Sequence, residues 1–169
     1  GIHTCLDTSG IMFRRNDPAV FAKFEKLSTV TDLVMLDIKH IDPEGHKKLT
    51  KQPNDNILDF ANYLAEKNIP VWIRHVIVPG ITDQEDELTR LGYFIGGLPN
   101  LKALDVLPYH TMGEVKYKNL GIDYPLKGVP ALTSNEAIIA KGHIIDGIKK
   151  RRKELAERNS QNQTQTENS

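Results

Sequence analysis

The amino-acid sequence predicts an α/β protein in which parallel strands alternate with helices. Four short apolar runs are each closed by polar or turn-forming residues, and amphipathic helical patterns separate the runs. A crossover helix between two strands places them parallel in one sheet, with a right-handed connection. The repeated strand–helix units therefore indicate either part of a (β/α) barrel or an open doubly wound sheet.

The predicted strands are rich in branched apolar residues and are bounded by turn formers. They cover residues 2–6, 33–36, 71–78 and 103–107. The polar or turn-forming ends are Asp7-Thr8-Ser9-Gly10, Asp37, Pro79-Gly80 and Pro108-Tyr109-His110, in chain order. Each strand is followed by a helical pattern, so we expect four βα units.

The predicted helices begin at residues that favour helix N-termini. Asp17-Pro18 and Asp42-Pro43 each place a capping carboxylate before a proline in the first turn. Thr82-Asp83 is expected to cap the helix that follows the third strand. Thr133 and Glu136 match the capping-box pattern and are expected to open a final helix.

The sequence also predicts how the chain is organised. Residues 1–150 are expected to hold the βα units, and residues 151–169 the end of a helix followed by a disordered polar tail from about Asn159. Residues 114–130 are expected to be irregular. The first strand starts without a lead-in, so we expect the chain to be part of a larger domain.

Composition excludes several classes of function. The 169 residues carry 22 basic and 22 acidic side chains, so no long-range field favours nucleic acid or an anionic membrane. No apolar run is long enough to span a bilayer. The single cysteine, Cys5, can neither form an internal disulfide nor ligate an iron–sulfur cluster alone. We expect a cytoplasmic protein with no nucleic-acid or membrane partner.

Polar side chains close three of the predicted strands and two more lie within the third; the carboxyl ends of strands are where parallel βα proteins bind their ligands. They include carboxylates and basic groups, a set that suits a zwitterionic or anionic ligand, or a small cation held by oxygens. Each residue alone also fits a turn or an internal ion pair. No GxGxxG or P-loop is present, so these residues leave the reaction open. The residues are Asp7, Thr8, Asp37, Lys39, Arg74, His75, Tyr109 and His110.

Four collinear stretches carry a family resemblance. They are HTCLDTSG at residues 3–10, VTDLVMLDIK at 30–39, VWIR at 71–74 leading to VPG at 78–80, and LPYH at 107–110. In this order and spacing they resemble the glycyl-radical-enzyme activating branch of the radical SAM superfamily, up to about residue 150. The resemblance implies an α/β fold whose parallel (β/α) units form the C-terminal part of an open radical SAM (β/α)6 barrel, here its last four units.

The resemblance also implies a function. The chain would be the C-terminal fragment of an activase that generates a glycyl radical on pyruvate formate-lyase by reductive cleavage of S-adenosylmethionine. The family's CxxxCxxC loop, which holds a [4Fe-4S] cluster, is absent from this sequence. We therefore expect no catalytic residue in this chain and no activity from it alone. The implied partners are the glycine loop of pyruvate formate-lyase and a flavodoxin-type electron donor.

Two alternatives remain open at this point. The chain could belong to an activase of another glycyl radical enzyme, or it could be a truncated, non-catalytic binding module. An unrelated barrel that binds phosphorylated metabolites is disfavoured because no phosphate-binding glycine loop follows a late strand.

One set of residues is implied by the resemblance to bind a metal ion. A monovalent cation would lie beside the carboxylate of S-adenosylmethionine. Its ligands would be Asp7, Thr8, Asp37 and the carbonyl oxygen of Met35.

A second set is implied to bind the cofactor and the target. Asp37, Lys39 and His110 would contact S-adenosylmethionine. Arg74 and His110 would line the pocket into which the glycine loop of the target docks.

Overall fold

The computed structural model describes the backbone of residues 1–167 and the side chains through residue 162. Its sheet has four parallel strands in the order β1-β2-β3-β4. The strands are β1 (Cys5–Thr8), β2 (Leu33–Asp37), β3 (Val71–Ile77) and β4 (Leu101–Pro108). The predicted α/β class with parallel (β/α) units is confirmed.

Helices connect the strands and cover one side of the sheet. None of the helices within residues 1–167 has both the length and the apolar character that crossing a membrane requires. A short 3-10 helix, Thr111–Gly113, follows β4. The α-helices are α1 (Pro18–Ser28), α2 (Pro43–Thr50), α3 (Asp55–Glu66), α4 (Glu85–Gly96), α5 (Glu114–Asn119) and α6 (Ser134–Glu167).

Three helices are capped as the sequence predicts. Asp17 accepts two backbone N–H bonds in the first turn of α1, at 3.0 and 3.1 Å, and Asp42 accepts one in α2 at 3.0 Å. In the capping box of α6, the backbone N–H of Thr133 donates to Glu136 Oε2 across 2.9 Å, and the Glu136 N–H donates to Thr133 Oγ1 across 3.3 Å. These bonds satisfy N–H groups that have no partner within a helix.

The start of α4 differs from the prediction. The helix begins at Glu85, not directly after Thr82-Asp83. The Thr82 hydroxyl donates to the Val76 carbonyl across 2.8 Å and accepts from the Val78 N–H across 2.7 Å. Thr82 therefore closes the loop after β3, and its side chain is not free to cap a helix.

Two further predictions are wrong where the structure describes the chain. The segment expected to be irregular from residue 114 begins with α5. Helix α6 continues to Glu167, so the predicted disorder from about Asn159 does not hold for residues 159–167. No glycine or proline follows Gly147, and a helix that is already nucleated gains one backbone hydrogen bond with each added residue. Residues 168–169 of the predicted tail lie outside the described residues.

The sheet is buried on one face and open on the other. In β3, Val71, Ile73 and Ile77 are fully buried, whereas Trp72 between them is 41% exposed. Successive strand residues point to opposite faces, so Arg74 lies on the open face together with Trp72. Helices α3, α4 and α6 contribute Phe60, Leu91, Ile144 and their neighbours to the core on the other face.

Candidate functional site

Four charged side chains meet where β1 and β2 end, beside the middle of β3. Arg74 Nε donates to Asp37 Oδ1 across 2.5 Å, and Arg74 Nη2 donates to Asp7 Oδ1 across 2.6 Å. Lys39 Nζ donates to the other carboxylate oxygen of Asp37 across 2.6 Å. Two carboxylates and two cations therefore form one hydrogen-bonded cluster without net charge, which we call the charged cluster.

The register of the parallel sheet brings these residues together. Asp7 in β1 lies opposite Met35 in β2, and Asp37 in β2 lies opposite Arg74 in β3. Opposed residues of neighbouring strands point to the same face, and so do residues two apart in one strand. The open face of the sheet therefore carries all four residues at the edge where ligands of parallel βα proteins bind.

Asp37 and Arg74 of the charged cluster stay ionised at neutral pH. Burial tends to raise the pKa of Asp37, but hydrogen bonds from Arg74 and Lys39 outweigh it, so this pKa lies below its ordinary value. The bonds to Asp37 and then to Asp7 raise the pKa of Arg74. The Asp37 side chain is 15% exposed and that of Arg74 25%, so water screens their interaction only partly.

The sequence-predicted site residues divide into two groups. Asp7, Asp37, Lys39 and Arg74 are brought together, as their strand-end positions predict. Three others lie apart from the bonds of the charged cluster. The Thr8 hydroxyl accepts from the Gly10 N–H across 3.0 Å in the turn after β1, and Met35 lies half-buried on the open face. His110 is exposed in the loop after β4, and its side chain makes no capping hydrogen bond to the 3-10 helix that follows.

The two carboxylates expected to hold a monovalent cation are already bridged by a guanidinium. Because Arg74 bonds both Asp7 and Asp37, a cation between these carboxylates requires the arginine to turn away. Within residues 1–162, whose side chains the structure describes, no group of three or more His, Cys, Asp or Glu side chains is placed to hold a metal ion. The geometry therefore gives the expected cation no support.

A cleft of about 400 Å³ lies next to Lys39. Val76 and Val78 supply apolar lining, and the hydroxyls of Tyr109 and Tyr124 lie 2.8 Å apart. Burial, and then the hydrogen bond to Tyr109, raise the pKa of Tyr124 to about 12, so this hydroxyl remains protonated at neutral pH. Sequence reasoning missed Tyr124 because it lies in the segment expected to be irregular, where no pattern distinguishes it.

His75 lies on the opposite face from Arg74, although both belong to the predicted strand-end set. It is only 3% exposed, and its Nδ1 donates to the carbonyl oxygen of Ile38 across 2.6 Å. Burial lowers the pKa of His75, so the imidazole is neutral. His75 therefore supports the segment that carries Asp37 and Lys39 from beneath and does not face a ligand on the open face.

The fold and the charged cluster agree with a comparison of the sequence with protein families. The family model of the radical SAM superfamily matches residues 1–92, which is more than half of the chain. The chain belongs to the radical SAM superfamily.

Curated relatives narrow the comparison to activating enzymes. The chain is 53% identical over 131 residues to the pyruvate formate-lyase-activating enzyme of Listeria monocytogenes serovar 1/2a, covering 78% of this chain and 52% of the relative. It is 51% identical over 141 residues to the enzyme of that name from Streptococcus mutans serotype c, covering 83% of this chain and 53% of the relative. The chain thus spans about half the length of the curated relatives it matches.

A solved structure supports the fold. The crystal structure of a domain of pyruvate-formate lyase-activating enzyme from Bacteroides vulgatus ATCC 8482 matches with a TM-score of 0.66. The match covers 86% of this chain and 77% of that chain, at 20% sequence identity. At this identity the likeness shows a shared partial (β/α) fold and nothing about chemistry.

Membership of the superfamily implies that S-adenosylmethionine and an iron–sulfur cluster are bound. The residues of this chain suit contact with S-adenosylmethionine but cannot hold the iron–sulfur cluster. Asp37 and Lys39 present opposite charges on the open face, which suits a zwitterionic amino-acid group. Cys5, the only cysteine, is exposed, whereas a [4Fe-4S] cluster is normally held by several thiolates. No step can therefore be assigned to the cluster from these residues.

Proposed function

We propose that this chain is the part of a pyruvate formate-lyase-activating enzyme that holds S-adenosylmethionine on one side and receives the glycine loop of the target. The observation that carries the proposal is the charged cluster. It lies at the ligand-binding edge of a parallel sheet, in a chain 53% identical to a relative of that name over 131 residues. This geometry supports binding of a zwitterion and an extended backbone.

The charged cluster would bind S-adenosylmethionine by exchanging internal ion pairs for ligand contacts. Asp37 would accept from the ammonium group of the methionine moiety, and Lys39 would donate to its carboxylate. When bound and cleaved reductively, S-adenosylmethionine supplies the radical chemistry that removes hydrogen from a glycine. The role of this chain is to orient that ligand and exclude water around it.

The target peptide would dock beside the same cluster. Arg74 is held by two carboxylates in the free chain, and either bond can be exchanged for a peptide carbonyl. His110 lies exposed after β4 and is free to donate to the same peptide. The cleft formed by Val76, Tyr109 and Tyr124 offers apolar area for a side chain that flanks the glycine.

Three parts of the proposal rest on the resemblance alone. A monovalent cation would bind Asp7, Thr8, Asp37 and the Met35 carbonyl once Arg74 has turned to the peptide. A flavodoxin-type protein would donate the electron. The whole enzyme would work in the cytoplasm.

A chimera tests the function directly. This chain would replace the aligned half of the Listeria monocytogenes relative, and the anaerobically loaded chimera would be mixed with pyruvate formate-lyase. The glycyl radical would be counted by electron paramagnetic resonance. We expect radical formation by the chimera and its loss when Asp37 is changed to Asn, because the amide cannot hold the ligand ammonium as a charged partner.

The controls separate misfolding from a wrong assignment. The chimera must bind its cluster as fully as the parent, as judged by iron content. The variant Asp55→Asn, at the start of α3 and outside the charged cluster, should keep its activity. A loaded chimera that makes no radical on pyruvate formate-lyase contradicts the proposal. If it activates another glycyl radical enzyme, that alternative takes its place.

A further inference from the structure

A second polar group of side chains lies on the buried face of the sheet, opposite the charged cluster. His40 is 4% exposed and His75 3%. With Glu87 of α4 they line a cavity of about 10 Å³, which Thr82 and apolar side chains complete. The proposed function uses none of these groups.

The hydrogen bonds made by the Nδ1 atoms of His75 and His40 determine which ring nitrogen of each carries the proton. A carbonyl oxygen can only accept, so the bond from His75 to Ile38 places the proton of neutral His75 on Nδ1 and leaves a lone pair on Nε2. His40 Nδ1 accepts from the Asp42 N–H across 3.1 Å, so the proton of neutral His40 is on Nε2. Both Nε2 atoms belong to side chains that line the same cavity.

Two buried acceptors at this cavity have no hydrogen-bond partner among the described residues. They are His75 Nε2 and Glu87 Oε2. His40 Nε2 lies 3.2 Å from Glu87 Oε2 but does not meet hydrogen-bond geometry with it. Thr82 cannot supply a proton, because its hydroxyl already donates to the Val76 carbonyl. Buried polar atoms are almost always satisfied, so these two require a donor.

We propose that His40, His75 and Glu87 bind one buried water molecule. The water accepts from His40 Nε2 and donates to His75 Nε2 and Glu87 Oε2. A cavity of this volume holds about one water, and buried waters make about three hydrogen bonds. A water molecule has two protons to donate and can accept a hydrogen bond, so one molecule satisfies the donor His40 Nε2 and the acceptors His75 Nε2 and Glu87 Oε2.

A metal ion fits this site less well than water. Two imidazoles and a carboxylate are common ligand types. However, no such group of side chains, among those described through residue 162, is placed to hold a metal ion. A metal ion would also displace the proton from His40 Nε2, since His40 Nδ1 is already an acceptor.

The water joins helix α4 to the segment that carries the charged cluster. Along this segment Asp37 and Lys39 face the open side, while Ile38 and His40 are buried. His75 holds the Ile38 carbonyl, and the water links His75 to His40 and Glu87. The three water-binding residues are therefore positioning residues for Lys39, acting through the backbone on either side of it.

A crystal structure of the protein that shows ordered waters, with imidazole ¹⁵N shifts from the same protein, tests the site. We expect one water within about 2.7–3.2 Å of all three atoms. We expect the Nδ1–H tautomer for His75 and the Nε2–H tautomer for His40. A dry cavity, a metal ion in the water position, or a protonated Glu87 bonded directly to His75 Nε2 would overturn the proposal.

Two variants on α4 give an independent readout. Glu87→Met removes one acceptor, and we expect loss of the water and about tenfold faster hydrogen exchange at the Ile38 amide. Glu85→Gln removes an exposed carboxylate from the same helix and should leave that exchange unchanged. Equal exchange in both variants, or a water retained in Glu87→Met, counts against the proposal. If Glu87→Met does not fold, Glu87→Gln keeps the shape and an acceptor oxygen and should retain the water.

Discussion

Arg74 Nε and Asp37 Oδ1 are 2.5 Å apart, and the two residues are direct neighbours in the parallel register of β3 and β2. Through its Nη2 the same guanidinium reaches Asp7 on β1, so one side chain joins β1, β2 and β3. Lys39 completes the charge balance on Asp37. A ligand that takes over Lys39 or Arg74 therefore leaves a carboxylate that needs another positive charge, from the ligand itself or from a cation.

Replacing Arg74 by Met should destabilise the protein and raise the pKa of Asp37. The free energy of unfolding should fall by about 2 kcal/mol, because charge-assisted hydrogen bonds are lost at a largely buried carboxylate. The pKa of Asp37 is lowered in the fold, so its contribution is present above the unfolded value of 3.8 and is lost as pH falls through the folded value. On acidification, the free energy of unfolding of Arg74→Met should therefore fall less than that of the unchanged protein. Denaturant unfolding and a carboxyl ¹³C titration measure both effects.

The matched control is Arg90→Met. Arg90 is 52% exposed and lies 3.4 Å from Asp42, so its removal should change stability by less than about 0.5 kcal/mol. If both variants lose the same stability, the charged cluster has no special role in the fold.

The strands and the charged cluster could be predicted from the sequence, because the carboxyl ends of parallel strands lie at the same edge of a sheet. Recognising β2 and β3 as parallel neighbours brings Asp37 and Arg74 to adjacent strands, and the register of the structure places them opposite each other. The side to which His75 points was also predictable, since adjacent strand residues face opposite sides. Grouping His75 with Arg74 at the strand end neglects this alternation, and the burial of His75 corrects it.

Other features depend on tertiary contacts that no local pattern reports. Thr82 has the residue type of a cap, but its hydroxyl bonds the β3–α4 loop. Tyr124 becomes part of the cleft only because the chain after β4 returns to Tyr109. His75 and Glu87 belong to different elements, so only the folded chain shows that both line one cavity.

Replacing Lys39 by Met in the chimera should weaken binding of S-adenosylmethionine by about 10- to 100-fold, the equivalent of one charge-assisted hydrogen bond. Calorimetry of ligand binding to the loaded chimera measures the loss. Lys47→Met, in the last turn of α2 and outside the charged cluster, is the control and should bind normally. Unchanged affinity in Lys39→Met would show that Lys39 serves only to neutralise Asp37.

Protonation of His75 should make the protein less stable in mild acid. Burial lowers the pKa of His75 below the unfolded value of 6.5, so in mildly acidic solution the unfolded state binds a proton that the folded state does not. Stability therefore falls as pH drops below that value. Melting temperatures between about pH 7.5 and about pH 5.5 measure the effect. His75→Asn keeps a donor for the Ile38 carbonyl and should show a smaller decrease.

His143→Asn is the control for the histidine prediction. His143 is 30% exposed on α6, lies 3.5 Å from Glu85 and takes no part in the hydrogen bond between His75 and Ile38. This variant should retain the acid-induced decrease of the unchanged protein. A decrease that persists in His75→Asn would assign the acid sensitivity to another group.

Helices α4 and α6 pack so closely that glycine is required at their contact. A Cβ at Gly92 would lie 1.9 Å from the Ile144 carbonyl oxygen, and one at Gly147 would lie 2.2 Å from the Thr89 carbonyl oxygen. Because backbone atoms cannot yield as a flexible side chain can, Gly92→Ala should force the helices apart and lower the free energy of unfolding by about 2 kcal/mol. Chemical denaturation measures the change.

Replacing Gly142 of α6 by alanine should have the opposite effect on stability from replacing Gly92. It lies within α6, and apart from that helix's own backbone a Cβ there would meet no heavy atom of the described residues within 4 Å. Gly142→Ala should therefore stabilise the protein by about 0.5–1 kcal/mol, because alanine loses less conformational entropy on forming a helix. If Gly92→Ala were equally stabilising, the close approach of α4 and α6 would not exist in solution. Opposite signs for the two variants would establish that contact, since helix propensity alone predicts the same sign for both.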